Sequence, residues 1–572
     1  MSFNLKSHYE NLLFIPLGGS SEIGINVNLY HYKGKWLMID CGSGFADEHF
    51  PGVEMLVANL NFISARKKDL LGLVLTHAHE DHLGAVQYLW NSIQCQIYTT
   101  PFTANFLKLR LAEYSFSKNI KIHTVKPGGQ IDLHPFSLEL ASLTHSAPEM
   151  QAIMIRTAVG NILHTGDWKF DHNPIIGPRS DTDSLKKYGD EGVLALVCDS
   201  TNVFNAGVSG SEGDVRKSIV DIIAGCPKLV VVTTFASNLA RLDTLIHAGQ
   251  QTGRKVALTG RSLHRMLLAA QESGYLTDIL PLVDERDVSR FKREELLIIA
   301  TGCQGEQLAA TAKMAGNNHN SIKLSAKDTV IFSSKIIPGN EKKIFRLFNI
   351  FVKAGIEVIT ERDHFVHVSG HPAIDELKQM YALIRPQICI PVHGEPVHIH
   401  EHAKLAKKSG VPQTIEVENG SVVLLDTFNS RIISKVESGY LAVDGNYLLP
   451  AQSPIFKIRR RMRDAGIVIV SIVINKHGQM CVEPIISTPG VLDPQDDVTI
   501  INNIKDEIIA KLSTLSNRPN ERLTNDQIED ITRAVVRRII KHELNKSPPI
   551  IINIQTSATT PITTSKMVQH IS

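Results

Sequence analysis

The stretch LTHAHEDHLG, residues 75–84, contains His77, His79, Asp81 and His82 within six positions. Imidazole and carboxylate groups are the ligands that Zn²⁺ and Mn²⁺ accept in proteins. His77 and His79 alternate along an extended turn and can face one side, whereas Asp81 and His82 come where the chain turns into a helix. A polar helix cap with incidental histidines is the alternative, but it leaves four donors at this spacing unexplained. The stretch therefore predicts a divalent metal site.

Further donors follow apolar runs later in the chain. His145 comes after FSLELASLT, Asp167 closes NILHTGD, and His393 comes after ICIPV. A single histidine after a strand is more often an ordinary loop residue. The four donors of the first stretch cannot fill the coordination spheres of two ions, however, so additional ligands are expected at strand ends. These three residues are the candidates for that role.

In this order, the HxHxDH stretch and the later His, Asp and His match the motifs of the metallo-β-lactamase superfamily, which the chain resembles. The resemblance implies two metal ions per subunit, Zn²⁺ with Mn²⁺ or Mg²⁺ as alternatives. The ligands that it implies are His77, His79 and His145 for one ion, Asp81, His82 and His393 for the other, and Asp167 for both. Asp40, which closes KWLMID, matches the superfamily's first aspartate and is expected to orient a ligand histidine without binding metal itself.

A pair of metal ions narrows the chemistry to a few reaction types. Two ions a few ångströms apart polarise a bridging water to hydroxide near neutral pH, and they clamp the attacking and leaving oxygens of an in-line displacement. This arrangement suits the hydrolysis of a phosphodiester. It also suits the hydrolysis of a thioester or a lactam, so the metal ligands alone do not select a substrate.

The elements that must position these residues are short strands and interspersed helices, which indicates an α/β protein. Residues 208–366 alternate strand and helix in the manner of parallel βαβ units. Asp167 and His393 are 226 positions apart, whereas a plain metallo-β-lactamase hydrolase is much more compact there, so the resemblance implies a domain inserted between the two halves of the metal-binding domain. The expected fold has a metallo-β-lactamase αββα sandwich from residues 1–207 and 367–450, an inserted parallel-sheet domain at 208–366, a small α+β C-terminal domain at 451–555 and a disordered tail at 556–572.

Three more stretches match the β-CASP group of the superfamily, whose members process nucleic acids: LVCDSTN with Asp199, HVSGH with His371 and PVHGE with His393. LGGSSEIGINVNLY, FASNLARLDT, ATGCQGEQLAA and VIFSSKIIPGNE look like the ribonucleases of that group. The resemblance implies that residues 208–366 form a β-CASP domain. It also implies a metal-dependent ribonuclease with 5′→3′ exonuclease and endonuclease activity in RNA maturation and decay.

Two loops are candidates for holding a phosphate, because each brings polar residues and backbone N–H groups to the start of a helix. The resemblance implies that they grip the 5′ phosphate of RNA. The residues concerned are Ala236, Ser237 and Asn238 of FASN, and His367, Val368, Ser369, Gly370 and His371 of HVSGH. An ordinary capped helix start is the alternative for each loop. The chain departs from the family's pattern at Ala240, Pro372 and Ala373, so the preference for a particular 5′ end stays open.

The candidate catalytic residues are His371, Asp199 and Asp81, the last of them as a metal ligand. His371 is favoured as the general acid, because it is expected near the leaving oxygen and imidazole titrates near working pH. Asp199 competes for that role, and its alternative is to steer His371 or a metal ligand. The sequence does not separate these assignments.

The amino-acid composition limits which binding partners and which cell compartment are expected. The 60 basic and 58 acidic residues give a net charge of +2, which excludes a strongly basic surface overall but not a local basic groove. KIRRRMRDAG, residues 457–466, is either a solvated linker or a contact for the RNA backbone. No apolar run approaches the roughly 20 residues of a membrane span, so no membrane partner is expected. The seven cysteines include no CxxC pair, which favours a reducing cytoplasm.

The expected partners are single-stranded RNA and further copies of the chain, as a homodimer or homotetramer joined through the C-terminal domain. Three other functions remain open from the sequence. The first is another β-CASP hydrolase that acts on DNA or on transcript 3′ ends. The second is an RNA-binding scaffold with little turnover, and the third is a thioester or lactam hydrolase. A thioester or lactam hydrolase does not account for the inserted domain and the phosphate loops.

Overall fold

The computed structural model describes residues 5–476, 478–493, 495–516 and 523–557. Most of the tail predicted to be disordered, residues 558–572, lies outside this part. The described chain forms two compact units, one from the residues up to 44 together with 55–441, and one from 45–54 together with those from 442 onward. In the part of the chain that the structure describes, no helix is long and apolar enough to cross a membrane.

Two sheets in the first unit pack face to face. In spatial order, the strands of the eight-stranded sheet are Arg431–Lys435, Ser421–Leu425, Leu12–Gly18, Val27–Tyr32, Lys35–Ile39, Leu70–Val74, Ile97–Thr99 and Ile122–Thr124. The strands of the seven-stranded sheet are Gln413–Thr414, Ile388–Val392, Ala195–Asp199, Asn161–His164, Gln151–Arg156, Phe136–Ser142 and Gln130–Leu133. Phe14 and Leu37 from one sheet share a buried core with Ile153 and Ile390 from the other.

Helices cover the outer faces of these sheets. Leu185, Leu377 and Ala406, from three different helices, pack on the seven-stranded sheet, and Trp36 of the eight-stranded sheet meets the ring of Phe62 edge to face. The helices of this layer are Asn61–Ser64, Glu80–Leu83, Val86–Ile93, Pro101–Leu111, Thr182–Glu191, Ile374–Ile384 and Pro396–Lys408. The order helix, sheet, sheet, helix confirms the predicted αββα sandwich.

The inserted segment forms a third sheet in which all neighbouring strands are parallel. In spatial order its strands are Lys255–Thr259, Leu296–Ala300, Val230–Thr233, Thr329–Phe332 and Glu357–Ile359. Its helices are Glu212–Gly225, Leu239–Gln251, Arg261–Glu272, Ala310–Ala315 and Glu341–Lys353. Runs such as LLIIA and VVVT are buried along their whole length, as a sheet covered on both faces requires. The sequences FASN, TGCQ and SSK therefore leave the sheet at one edge, the carboxyl ends of its strands.

The second unit contains a three-stranded sheet in the order Ile485–Ser487, Val468–Ile474 and Ile550–Thr556. Its two helices are Val498–Ser516 and Asn525–Leu544. Strands Val468–Ile474 and Ile485–Ser487 pair antiparallel, while His477 between them lies outside the described residues. The sheet and helices share one apolar core. The predicted C-terminal α+β fold is confirmed, and the residue boundaries between domains stay predictions.

The basic segment 457–466 is not a linker, because residues Pro454–Ala465 form a helix. Ser453 caps its first turn, Pro454 occupies the first helical position, and Gly466 ends it. Arg459 pairs with both oxygens of Asp444 at 2.9 and 2.8 Å. Arg460 and Arg463 donate to the backbone carbonyls of residues 49 and 48. Much of the basic charge in this helix is thus used within its own unit.

The remaining elements are short. The strands are Ser43–Phe45, Met55–Ala58, Tyr440–Asp444 and Tyr447–Pro450. The 3₁₀ turns are Leu5–His8, Lys67–Asp69, Ser115–Asn119, Val288–Arg290 and Arg293–Glu295.

Candidate active site

Strand ends bring the predicted donors together at one edge of the sandwich. His77 and His79 follow strand Leu70–Val74, and His79 lies just before helix Glu80–Leu83. His145, Asp167 and His393 each follow a strand of the seven-stranded sheet. His393 has a φ of 55°, a left-handed conformation that is uncommon for residues other than glycine. Such strained backbone is typical of functional sites.

Three histidines gather on one side of Asp167. The ligating atoms of His77, His79, His145 and Asp167 all lie within 4.8 Å of one another. His77 Nε2 is 4.0 Å and His145 Nε2 is 3.9 Å from Asp167 Oδ2. His145 Nε2 is 3.1 Å from His79 Nδ1. Three imidazole nitrogens and one carboxylate at this spacing can surround one divalent ion.

A second group includes the same carboxylate. Asp81, His82, His393 and Asp167 also have ligating atoms within 4.8 Å of one another. Asp81 Oδ2 is 3.6 Å from both His82 Nε2 and His393 Nε2. His393 Nε2 is 3.5 Å from Asp167 Oδ2. Asp167 belongs to both groups, so one carboxylate can bridge two ions.

Unpaired buried atoms indicate that these groups fit metal ions. His77 Nε2, His393 Nε2 and both carboxylate oxygens of Asp167 are buried and have no hydrogen-bond partner among the described residues. His82 Nε2 approaches Asp167 Oδ2 to 3.0 Å, but the pair lacks hydrogen-bond geometry. Leaving one buried polar atom unsatisfied costs about 1–3 kcal/mol. Divalent ions would satisfy all four atoms, and their imidazole and carboxylate chemistry suits Zn²⁺ and Mn²⁺.

The protonation states differ between the two groups. Burial lowers the pKa of His79 to about 4 and holds the pKa of His77 and His145 well below the ordinary value for imidazole, which leaves these rings in the neutral form that binds metal. Burial opposes a charged His82, but Asp167, Asp81 and Asp40 outweigh it and raise the pKa of this imidazole well above the ordinary value. Burial alone would raise the pKa of Asp167, but the His393 and His82 imidazoles hold it well below its usual range. An ion in the second group would therefore take the place of the proton on His82.

Contacts outside the two groups fix the orientation of their histidines. His82 Nδ1–H donates to Asp40 Oδ2 at 2.7 Å, and Asp40 Oδ1 accepts from the Thr76 backbone N–H at 2.8 Å. This bond leaves Nε2 of His82 directed at Asp81 and Asp167. Asp40 thus lies where the resemblance placed it, touching a predicted ligand and not the centre of the cluster.

Two orienting groups were missed from the sequence. His393 Nδ1–H donates to Asn26 Oδ1 at 2.9 Å, and His145 Nδ1–H donates to the backbone carbonyl of Gly370 at 2.6 Å. A Cβ at position 370 would lie 2.7 Å from His145 Cε1, so only glycine allows this approach. Asn26 lies in a motif quoted for the resemblance, but nothing in its spacing connects it with a residue 367 positions away.

His371 and Asp199 form a third group with Asp167 and His393, whose ligating atoms also lie within 4.8 Å of one another. His371 Nδ1 is 2.8 Å from Asp199 Oδ2 and 3.8 Å from Asp167 Oδ2. Burial opposes the charged imidazole, but Asp199 and then Asp167 outweigh it and raise the pKa of His371 to about 9. The Asn202 amide holds this loop by donating to Ser369 Oγ at 2.6 Å and to the His371 carbonyl at 3.0 Å. His371 is 22% exposed, so a proton on this imidazole can reach a substrate.

Arg241 links the segments that carry the two predicted phosphate loops. Asn238 caps helix Leu239–Gln251 by accepting from the Arg241 N–H at 2.8 Å, so its side chain does act as a helix cap. Ala236 and Ser237 are half-buried, and Val368 is buried. The Arg241 guanidinium donates to the Val366 carbonyl at 2.9 Å, directly before the HVSGH loop.

The positions that depart from the family's pattern are all buried. Ala240 is 6% exposed and Ala373 is 1% exposed. The Ala373 N–H donates to Glu376 Oε2 at 2.9 Å at the start of helix Ile374–Ile384, and Pro372 lies just before it. These residues therefore contribute to packing and helix capping and present no polar side chain to a ligand.

Comparison with known protein families covers most of the chain. Residues 21–206 match the metallo-β-lactamase superfamily, and residues 227–351 match the β-CASP domain of ribonuclease J. Residues 355–418 match a family described as the RNA specificity domain of Zn-dependent metallo-hydrolases. Residues 455–557 match the ribonuclease J C-terminal domain.

Relatives align over nearly the full length. Ribonuclease J of Sinorhizobium meliloti is 36% identical over 95% of this chain and 97% of its own length. Ribonuclease J of Helicobacter pylori is 32% identical over 96% of this chain and 80% of its own. A crystal structure of a protein of unknown function from Enterococcus faecalis shares the fold, with a TM-score of 0.50 and 17% identity over 73% of this chain and all of its own. The metallo-β-lactamase and β-CASP predictions are confirmed, and the chain belongs to the ribonuclease J family.

Proposed function

We propose that this chain, a metal-dependent ribonuclease by its family, removes nucleotides from the 5′ end of RNA and also cuts RNA internally, in RNA maturation and decay. The observation that supports this most strongly is the convergence of two ligand groups on Asp167, with the His371–Asp199 pair beside them. A metal pair, a proton donor and an anion-binding loop are the parts that phosphodiester hydrolysis needs.

The proposed ligand set is the one that the resemblance implied. It consists of His77, His79 and His145 for one ion, Asp81, His82 and His393 for the other, and Asp167 for both. Zn²⁺ is the proposed ion, with Mn²⁺ or Mg²⁺ as alternatives. Bound ions would supply a nucleophile by lowering the pKa of a water and would neutralise charge on the phosphate. Asp40, Asn26 and the Gly370 carbonyl keep the Nε2 atoms of three ligands aimed inward.

His371 is the proposed general acid. Asp199 accepts from Nδ1–H, which leaves Nε2–H free to donate a proton to the leaving 3′ oxygen. Asp199 is buried, and it stabilises the imidazolium in the manner of the carboxylate in other His–Asp pairs. Asp199 thus orients His371 and favours its charged form, and the His371 imidazole donates the proton.

The 5′ phosphate is proposed to bind at the HVSGH and FASN loops. His367 Nδ1 is buried without a hydrogen-bond partner among the described residues. Burial and then the positive charges of Arg241, Lys169 and Lys335 lower the pKa of His367. The three cations favour an anion at this site, whereas burial by itself disfavours a charge of either sign. A phosphate there would also receive the Ser369 hydroxyl and backbone N–H groups ahead of helix Ile374–Ile384.

Assembly and location are also proposals. Ile485 and Ile551 are 67% and 46% exposed on the C-terminal sheet. Exposed apolar side chains on a sheet favour contact with another protein surface, which supports a homodimer or homotetramer through this domain. All seven cysteines are free, and six of them are buried. Free thiols support a cytoplasmic location, where proteins are kept reduced.

Replacing a proposed ligand should abolish both metal binding and cleavage. His77→Ala and Asp167→Ala are expected to retain the fold, to lose bound Zn²⁺ or Mn²⁺ as measured by elemental analysis, and to lose RNA cleavage with it. His31→Ala, at another buried histidine of the same sandwich, is the control that should keep its metal. Full activity in the His77→Ala, Asp167→Ala double variant would rule out the two-metal mechanism.

Removing the imidazole at position 371 should separate cleavage from binding. His371→Ala should keep its metal content and its affinity for RNA, while kcat falls by about 10²–10⁴-fold, the usual contribution of general acid–base catalysis. Rapid-quench measurement of single-turnover cleavage gives the chemical rate directly. Loss of metal from this variant would instead make His371 a ligand.

The end dependence of cleavage tests the proposed function as a whole. A 5′-monophosphate RNA should be shortened by release of mononucleotides from that end, and a matched 5′-hydroxyl RNA should react more slowly because the loop at 367–371 loses its charged partner. Internal cleavage of single-stranded segments should depend less on the end. Gel analysis of 5′- and 3′-labelled substrates distinguishes the two modes, and a chelator should stop both.

Several results would contradict parts of this account. Release of mononucleotides from the 3′ end would show the opposite polarity. Equal cleavage of matched DNA would indicate a general nucleic-acid hydrolase. Absence of cleavage with both ions bound would leave an RNA-binding scaffold.

A further inference from the structure

Arg241 is completely buried, and all of its guanidinium nitrogens are used. Its Nε and Nη2 donate to the two oxygens of Glu212 at 3.0–3.1 Å. Its Nη1 donates to the Ser333 hydroxyl at 2.6 Å and to the Val366 carbonyl at 2.9 Å. Removing a charged side chain from water is costly, so packing alone does not account for a buried Arg241–Glu212 ion pair with this many hydrogen bonds.

The residues around Arg241 belong to three segments of the proposed site. Asn238 of the FASN loop accepts from the Arg241 backbone N–H and donates to Glu212 at 3.2 Å. The Glu212 backbone N–H donates to Asp171, four residues after the shared ligand Asp167, at 3.0 Å. The Val366 carbonyl opens the HVSGH loop. One ion pair therefore connects the FASN loop, the segment after Asp167 and the start of the HVSGH loop.

The two ends of the HVSGH loop are held by different domains. Its start is held from the inserted domain, where Arg241 and the Ser333 hydroxyl both donate to Val366, at 2.9 and 2.8 Å. Its end is held from the metal-binding sandwich, through Asn202 and through the His145 bond to Gly370. Loss of Arg241 would therefore release the start of the loop, with His367, while His371 keeps its own contacts.

We infer that Arg241 is a positioning residue, which fixes the distance between the 5′-phosphate loops and the metal centre. The inference rests on the proposed function. Removal of one nucleotide at a time from a 5′ end requires the bound phosphate and the scissile bond to stay a constant distance apart, because a loose anchor lowers the population of the reactive geometry. Internal cleavage has no such requirement, since it uses the metal centre and His371 without an occupied 5′ pocket.

The test compares two cleavage modes in the full chain loaded with Mn²⁺. Arg241→Lys keeps the positive charge, but one ammonium cannot reproduce the fork that reaches Glu212, Ser333 and Val366 together. We expect exonucleolytic release from a 5′-monophosphate RNA to fall at least tenfold, and internal cleavage of a 5′-hydroxyl RNA to change less than threefold. A purely structural role would lower both rates in parallel.

A second variant guards against misfolding. Arg241→Met combined with Glu212→Met replaces the pair by apolar side chains and leaves no unpaired buried charge, which proteins often tolerate. It should show the same selective loss of exonuclease activity. Arg293→Lys is the matched control, because Arg293 pairs with buried Asp328 in the same domain and also donates to the Lys323 carbonyl, away from the HVSGH loop. It should change neither mode more than twofold.

Hydrogen–deuterium exchange gives a readout that does not depend on activity. Peptides covering residues 364–371 should exchange faster in both Arg241 variants than in the wild type or in Arg293→Lys, whereas peptides around His77 should not change. Equal loss of both cleavage modes, or unchanged exchange of these peptides, would overturn the inference. A wild-type chain without 5′-end preference would instead refute the proposed function, and the exchange result would still decide the role of Arg241.

Discussion

The structure of the site depends on one buried carboxylate. Asp167 is 1% exposed, its two oxygens have no hydrogen-bond partner among the described residues, and histidines from both ligand groups lie near it. A lone carboxylate in such a place would be expensive to keep ionised. Positive charge must therefore compensate it. His82, whose pKa is raised well above the ordinary value, can supply that charge with a proton, and bound metal ions would replace this proton. The other proposed ligands surround this carboxylate.

That requirement accounts for much of the architecture. Asp167, Asp199 and His393 come from the ends of neighbouring strands, Asn161–His164, Ala195–Asp199 and Ile388–Val392, which are parallel to one another. Because the carboxyl ends of parallel strands lie at one edge, residues far apart in sequence reach the same point. The inserted domain uses the same rule, and its strand ends deliver FASN and Ser333 toward the HVSGH loop. Together with the eight-stranded sheet, whose strand Leu70–Val74 precedes His77 and His79, three sheets supply one site.

The sequence was sufficient for the parts of the site that have a local pattern. HxHxDH, the donors after apolar runs and the strand–helix alternation of residues 208–366 all predicted features found in the structure. The sequence does not reveal a contact between distant segments when the contacting group is a backbone carbonyl or an ordinary amide side chain. The Gly370 carbonyl that holds His145 and the amide of Asn26 that holds His393 are such cases.

The role of Arg241 and the helix at the basic segment 457–466 were not predicted from the sequence. The role of Arg241 has no local signal in the sequence, because its partners Glu212, Ser333 and Val366 are adjacent to it only after folding. The basic segment 457–466 was interpreted as a linker or RNA contact from its charge. Its Ser453–Pro454 start and Gly466 end are helix boundary signals that the charge pattern obscured.

The most direct test of the central claim is to locate the metal ions. Crystals of the full chain grown with Zn²⁺ or Mn²⁺ would be measured on both sides of the metal's absorption edge, and anomalous difference maps would be calculated. Two peaks are expected beside Asp167, one in contact with His77, His79 and His145 and the other with Asp81, His82 and His393. A single peak, or a peak bound by His371 and Asp199 in place of these histidines, would contradict the proposed ligand set.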